Sequence, residues 1–154
     1  MNITIRKAAK EDLDTLLTIN YSSFEANAVY DPHIDMNWIH TEDARQHFLD
    51  AITKDGYYSI VAEKDGKPVG FLFLGPKQYP YSKVKMIELD IMAVLPAYRS
   101  QGVGAKLLEN AKQWAKNKGY QSLYVSSYIK NVRAVSFYTS KGFSPIDIEL
   151  EMAL

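Results

Sequence analysis

The sequence predicts a mixed α/β domain: a central sheet, part antiparallel and part parallel, with helices on both faces. Three observations predict it. Segments with apolar period two alternate with segments of helical period, in the order β-α-α-β-β-β-α-β-α-β. Asp65-Gly66 separates two β-rich runs, the mark of a hairpin. Later in the chain, strand–helix–strand runs imply parallel crossovers. No internal repeat, low-complexity stretch or linker interrupts the 154 residues, so 1–154 reads as one domain with a real core.

In "NITIRKA", Ile3 and Ile5 alternate with polar residues, which predicts a half-buried first strand. "KEDLDTLLTINYSSF" places Leu13, Leu16, Leu17 and Asn20 at helical spacing, with acids in its first turn. Residues 27–40 contain Pro32, show no period and read as a long loop. Thr41 is the expected N-cap of the helix "EDARQHFLDAITK", helped by Glu42 and Asp43 near its positive end. "YYSIVAEKDGKPVGFLFLG" is the hairpin, and "PKQYPYSK" is the loop after it. In "VKMIELDIMAVL", strict alternation puts Ile87, Leu89, Ile91 and Ala93 on one face and Glu88, Asp90 and Met92 on the other. "VGAKLLENAKQWAKNKG" carries a stripe of Leu107, Leu108, Ala111, Trp114 and Ala115 and stops at Gly119. "QSLYVSSY" is a short strand, "NVRAVSFYTSKG" a helix capped by Asn and Gly, and "FSPIDIELEMAL" a last strand.

Composition excludes several classes. Eighteen Lys and Arg balance eighteen Asp and Glu, so no basic excess exists to grip a nucleic acid backbone. Cysteine is absent, which excludes disulfides, thiolate metal sites and a cysteine-bound intermediate. No run approaches the roughly 18 apolar residues of a membrane span. Charges from Arg6 onward interrupt any signal-peptide core, so the expected address is the cytoplasm.

The chemistry centres on "VLPAYRSQGVGA", residues 94–105. Gly102 and Gly104 lack a Cβ, so the main chain can approach a ligand closely there. The free N–H groups of the following helix and its dipole then favour an anion, most naturally a phosphate. A glycine pair also closes ordinary tight turns, and the pattern alone leaves both readings open. A Walker A loop needs Lys-Ser/Thr after its last glycine, and here Ala105-Lys106-Leu107 follow Gly104. A dinucleotide fingerprint needs a third small residue where Leu107 stands.

"LDIMAVLPAYRSQGVGAKLLENA" resembles the acetyl-coenzyme A signature of the GNAT acetyltransferase superfamily, Arg/Gln-x-x-Gly-x-Gly/Ala after a strand end. Arg99, Gly102 and Gly104 are in register with it. "NVRAVSFYTSKGF" resembles the second hallmark of that family, through Asn131, Ala134, Phe137, Tyr138, Gly142 and Phe143. The motifs span residues 89–143, and the order of elements agrees over the whole chain.

The resemblance implies acetyl transfer from acetyl-coenzyme A to an amine on a GNAT-like sheet. It assigns the pyrophosphate to the N–H groups of Gln101, Gly102, Val103, Gly104 and Ala105, beside Arg99. It implies that the fourth strand splays from the fifth around Met92, Ala93 and Val94. Backbone groups left free there would pair with pantetheine, and the N–H near Met92 would stabilise the thioester oxyanion. Asn131 would cap its helix and touch pantetheine. Tyr138 would be the general acid for the departing thiolate, and Glu88 a candidate general base. Each has a plainer reading: Tyr138 as core anchor, Glu88 with Asp90 as a wetted sheet face. With no cysteine and no Gly-x-Ser-x-Gly elbow, direct attack in a ternary complex is the expected route.

The acceptor cleft in the family lies between the first two helices, here about residues 24–40. Phe24, Tyr30, Asp31, Asp35 and Trp38 would suit a cationic amine, though the same residues suit a plugged loop. His33, His40 and His47 recur every seven residues, but Pro32 and the irregular loop prevent a shared helix face, so no metal is expected. The favoured acceptor is a small-molecule primary amine. Rival readings are a protein N-terminal acetyltransferase and a non-catalytic acyl-coenzyme A sensor. The alternating C-terminus "IDIELEMAL" suggests an edge strand that a homodimer would cover.

Overall fold

A computed structural model describes residues 2–154. Its sheet runs in the order β1 (Ile3–Lys7), β2 (Tyr58–Lys64), β3 (Lys67–Pro76), β4 (Met86–Val94), β5 (Ser122–Val125). The first four pair antiparallel and β4 pairs parallel with β5. Helices α1 (Leu13–Asn27) and α2 (Glu42–Thr53) cover one face and α3 (Val103–Asn117) covers the other. Helix α4 (Val132–Ser140) leans Phe137 and Tyr138 on the α3 side.

Local signals explain most of these elements. Thr41 caps α2 by accepting the Ala44 N–H, as its position predicts. The α3 stripe is realised: Leu107, Leu108, Ala111 and Ala115 are buried, while Trp114 is partly buried and stacks on Tyr58 at 4.4 Å. At the start of α1, Asp12 is 9% exposed and accepts two hydrogen bonds from Arg6, at 2.7 and 2.8 Å, and one from the Ala9 N–H. Arg6 also reaches Glu63, so one guanidinium ties β1, α1 and β2 together. That hydrogen bonding holds the Asp12 carboxyl below the usual carboxylate range.

Strict alternation along β4 is overturned. Ile87 and Leu89 join the α3-side core, but Ile91 and Ala93 join the α1/α2-side core, and Met92 and Val94 return to the first. The cause is a bulge. Leu74 pairs with Leu89 and Phe73 with Ile91, so Asp90 is an extra residue on β4. One inserted residue reverses the face of everything beyond it.

A second correction concerns residues 143–154. They form no strand and make no backbone hydrogen bond to the sheet. Their alternation is genuine, yet Ile146, Ile148, Leu150, Met152 and Leu154 all face solvent. A strand pattern fixes which side chains share a face but not whether the segment pairs, and the outer edge of β5, though available, stays open. The ten-element order therefore ends at α4, and the parallel part of the sheet contains one crossover, β4–α3–β5.

Candidate functional site

Strand β5 pairs with β4 only from Met86 to Leu89. Beyond that the strands part, and β4 continues to Val94 with β3 alone on its other side. The Leu95 N–H points at β3, donating to the Val69 carbonyl at 2.9 Å. Strand alternation then turns the N–H groups of Val94 and Met92 into the gap. This is the splay that the sequence motif implied. One carbonyl there is already occupied: Arg99 Nε donates to the Val94 oxygen at 2.9 Å.

The glycine turn sits at the end of this gap. Gly102 has φ of +83°, the left-handed region that a side chain resists, and Ser100 is also left-handed at +59°. The first bond of α3 runs from the Lys106 N–H to the Gly102 carbonyl. The N–H groups of Val103, Gly104 and Ala105 thus have no partner within the helix and face the groove at its positive end. Gly70 seats this turn on the sheet: a Cβ there would lie 2.9 Å from the Ala93 carbonyl and 3.4 Å from Val103.

Two arginines flank the turn. Arg99 is braced inward, on Val94 and on Ser22 of α1. Arg133, in the first turn of α4, reaches back to Ser100 Oγ at 3.1 Å. Among the described residues neither guanidinium has a carboxylate within ion-pair distance. Burial and the nearby charge of Arg133 both push Arg99 down from its ordinary value. Two uncompensated cations above free helix N–H groups suit the phosphates of a coenzyme A. The motif pointed to Arg99, but the more exposed Arg133 is the better placed of the two to meet a phosphate.

Helix α4 forms the other wall. Asn131 caps it by accepting the Ala134 N–H at 3.1 Å. Phe137 lies over Gly104, 3.6 Å from where a Cβ would be, beside Met92. Tyr138 is wedged edge-on between Phe137 and Phe143, and burial pushes its phenol up to about 12. Its hydroxyl makes no hydrogen bond among the described residues and stands on the groove wall. Of the motif-assigned donor-side residues, Met92, Val94, Arg99, Gly102, Val103, Gly104, Ala105, Asn131 and Tyr138 line one groove. Ala93 does not, because its side chain lies in the α1/α2-side core, and the Gln101 side chain turns away to the Ala97 carbonyl.

The groove continues past Met92 to the α1/α2 side. Phe24 and Trp38 stack there at 5.7 Å, and Tyr30 stacks on Tyr128 at 6.2 Å. The two carboxylates expected to hold an amine are otherwise engaged. Asp31 accepts from the His33 N–H and the Tyr128 hydroxyl, and Asp35 accepts from the Asn37 N–H. The Asp31–Tyr128 bond joins the loop after α1 to the chain after β5 across the groove. Glu88 is also placed differently from expectation. It pairs with Lys77 at 3.4 Å, under a cation–aromatic contact of Lys77 with Tyr124, and does not line the groove.

The three histidines part company. His33 meets Glu151 at 3.4 Å, His40 rests on Tyr21, and His47 meets Asp90 at 2.9 Å. His47 and Asp90 both line the groove. Sequence reasoning missed this pair, together with Arg133 and Tyr128. Arg133 lies inside a recognised motif, which was a usable signal; the His47–Asp90 pair, 43 residues apart, had none.

The groove is open and continuous with the space beside β5 and the C-terminal segment, about 2180 Å³ in all. Comparison with known proteins agrees with this geometry. The profile of the acetyltransferase (GNAT) family matches residues 13–143. An uncharacterized N-acetyltransferase of Archaeoglobus fulgidus is 31% identical over 140 residues, covering 89% of this chain and 90% of its own. Among solved folds, the PaiA N-acetyltransferase from Thermoplasma acidophilum, in complex with coenzyme A, superimposes with a TM-score of 0.83 at 24% identity, over 97% of this chain and 94% of that one. An aminoglycoside acetyltransferase from an uncultured soil metagenomic sample, in complex with sisomicin, gives a TM-score of 0.74 at 21% identity over 99% and 96%. These two likenesses speak for the fold. A splayed β4 edge, a glycine turn at a helix N-terminus, and a profile match that contains both thus meet in one conclusion: the chain belongs to the acetyltransferase (GNAT) family and is an acetyl-coenzyme A-dependent N-acetyltransferase.

Proposed function

We propose that this enzyme acetylates a primary amine of a small molecule by direct attack in a ternary complex. One observation carries the reading: a single groove runs from the glycine turn, past the free β4 edge at Met92, to the aromatic pair Phe24 and Trp38. Acetyl-coenzyme A supplies the thioester. The N–H groups of 103–105 and Arg133 bind its phosphates, and the β4 edge orients the pantetheine. The Met92 N–H faces the thioester carbonyl and stabilises the oxyanion. Tyr138 meets the sulfur. Aromatic faces at the far end hold a cationic amine.

The test is release of free thiol from acetyl-coenzyme A with a panel of spermidine, kanamycin, lysine and a tripeptide. Turnover of a small amine in preference to the peptide supports the reading. Peptide preference favours N-terminal acetylation, and tight acetyl-coenzyme A binding without turnover favours a sensor.

The C-terminal segment supports a homodimer. Leu150 and Met152 are 93% and 81% exposed and the outer edge of β5 is open, and both features are covered if two copies exchange the segment. Light scattering at high micromolar protein checks this. A dimer that becomes a monomer on removal of 146–154 is expected, and a monomeric full chain refutes it.

A further inference from the structure

We infer that His47, held by Asp90, is the base that takes the proton from the acceptor ammonium. The inference rests on the small-amine acetylation reading above and replaces Glu88 in the role that its place on the fourth strand suggested. Glu88 is held by Lys77 and lies off the groove. His47 and Asp90 lie on it, between the aromatic acceptor walls and the free edge of β4. Asp90 stands two residues before Met92 on β4, so the His47–Asp90 pair and the N–H assigned to the oxyanion border the same stretch of the groove. A base beside the acceptor site reaches an attacking nitrogen directly or through one water.

The geometry is that of an oriented imidazole. His47 Nε2 and Asp90 Oδ2 are 2.9 Å apart, so the carboxylate accepts from Nε2–H and leaves Nδ1 as the proton acceptor. The ring is further held edge-on by Trp38 and Phe48, at 6.2 Å each. Trp38 belongs to the acceptor wall, so the base and the acceptor site share a residue. The bulge gives the arrangement its reason. With Asp90 as the extra residue of β4, its carboxylate turns toward α2 while Ile91 still enters the core below. A role in stability is a weak alternative, because side chains 39% and 33% exposed form an ion pair that contributes little.

The charges facing His47 are Asp90 from β4 and Asp50 from its own helix. The hydrogen bond to Asp90, against some burial, raises the imidazole above its ordinary value. That moves a base toward neutral pH, where proton transfer is effective.

The steps balance. The ammonium gives one proton to His47 and so to solvent. The nitrogen lone pair attacks the carbonyl carbon, and the C–S bond breaks with its electron pair on sulfur. The second nitrogen proton leaves to solvent as the amide forms, and the sulfur, hydrogen-bonded by Tyr138, takes one proton from solvent. The products are an amide, a thiol and one proton.

The experiment is the pH dependence of kcat for wild type, His47→Gln and Asp90→Asn, using the panel amine with the highest turnover, with melting temperatures as fold controls. In wild type an acidic limb is expected, since the neutral imidazole is the active form. Asp90→Asn removes the carboxylate that favours imidazolium, so the limb should move to lower pH. His47→Gln should lower kcat by about 10²–10⁴-fold and abolish the limb. Folded variants with wild-type rates overturn the inference, as does a rate loss that leaves the limb in place. A limb that instead tracks the pKa of the acceptor, on changing the amine, assigns it to the substrate and also overturns it. If no amine in the panel is acetylated, the small-amine reading falls and this inference falls with it. Acetylation that is indifferent to both substitutions sinks this inference alone.

Discussion

Replacing Tyr138 by Phe keeps the ring between Phe137 and Phe143 and removes one hydroxyl. How much that costs depends on whether the phenol transfers its proton or only donates a hydrogen bond. A free phenol of pKa about 10 facing a thiol of about 8.5 is already the weaker acid by about 1.5 units. Burial pushes Tyr138 up to about 12, so complete transfer to the thiolate is uphill by about 3.5 units, or about 5 kcal/mol. The phenol therefore acts chiefly as a donor to the developing negative sulfur, and solvent completes the protonation. A hydrogen bond to a charged group is worth about 1.5–3 kcal/mol, which is a factor of about 10 to 150. We expect Tyr138→Phe to lower kcat and kcat/KM together by that factor, with little change in acetyl-coenzyme A affinity. The melting temperature should hold or rise slightly, because the hydroxyl makes no hydrogen bond among the described residues. Wild type should also show no alkaline limb from this group below about pH 11, since its ionisation lies near 12. The assays are thiol-release kinetics, calorimetry with acetyl-coenzyme A and a thermal melt. A folded variant with wild-type kcat, where the acetyl-transfer step limits turnover, makes Tyr138 a packing residue. A loss well beyond about 150-fold, toward the upper end of the roughly 10²–10⁴-fold of general acid catalysis, would show true proton transfer and refute the hydrogen-bond argument.

Gly102→Val puts a side chain at φ of +83°, which should destabilise the fold by about 1–2 kcal/mol and weaken acetyl-coenzyme A binding, read by urea melts and calorimetry; unchanged affinity would remove the turn from the phosphate site. Gly104→Ala is the milder partner, because a Cβ there meets Phe137 and Met92 only at ordinary contact distance, so the fold should survive while affinity falls. Asp12→Asn leaves Arg6 without its bidentate partner, and about 1–3 kcal/mol should be lost at pH 7 after allowing for the exposure of Arg6. The folded Asp12 pKa lies below its unfolded value, so this contribution is full above about pH 4 and disappears as pH falls through the folded pKa. Denaturant midpoints of the two proteins should therefore converge as pH falls through the folded pKa, and a gap that stays constant as the pH is lowered from 7 into the acid range would contradict the pairing.

Local pattern carried much of the molecule. Helix stripes such as Leu107, Leu108 and Ala111, the Thr41 and Asn131 caps, and the Asp65-Gly66 turn depend on neighbours a few residues away, so the sequence alone determined them. It also determined the two motifs and the glycine turn at the start of α3, because a turn at a helix N-terminus is a local object. Tertiary structure decided what depends on register and on distant partners. The bulge at Asp90 breaks a period of two that nothing in "MIELDIMAV" marks, and it separates Ile87 and Leu89 from Ile91 and Ala93. Lys77 holds Glu88 from across the β3–β4 loop, and His47 on α2 pairs with Asp90, so the β4 carboxylate that lines the groove is not the one expected from the family resemblance. The C-terminal alternation shows the same division. Periodicity tells which side chains of a strand would share a face, but not whether the segment pairs: the outer edge of β5 is free, and residues 143–154 do not pair with it.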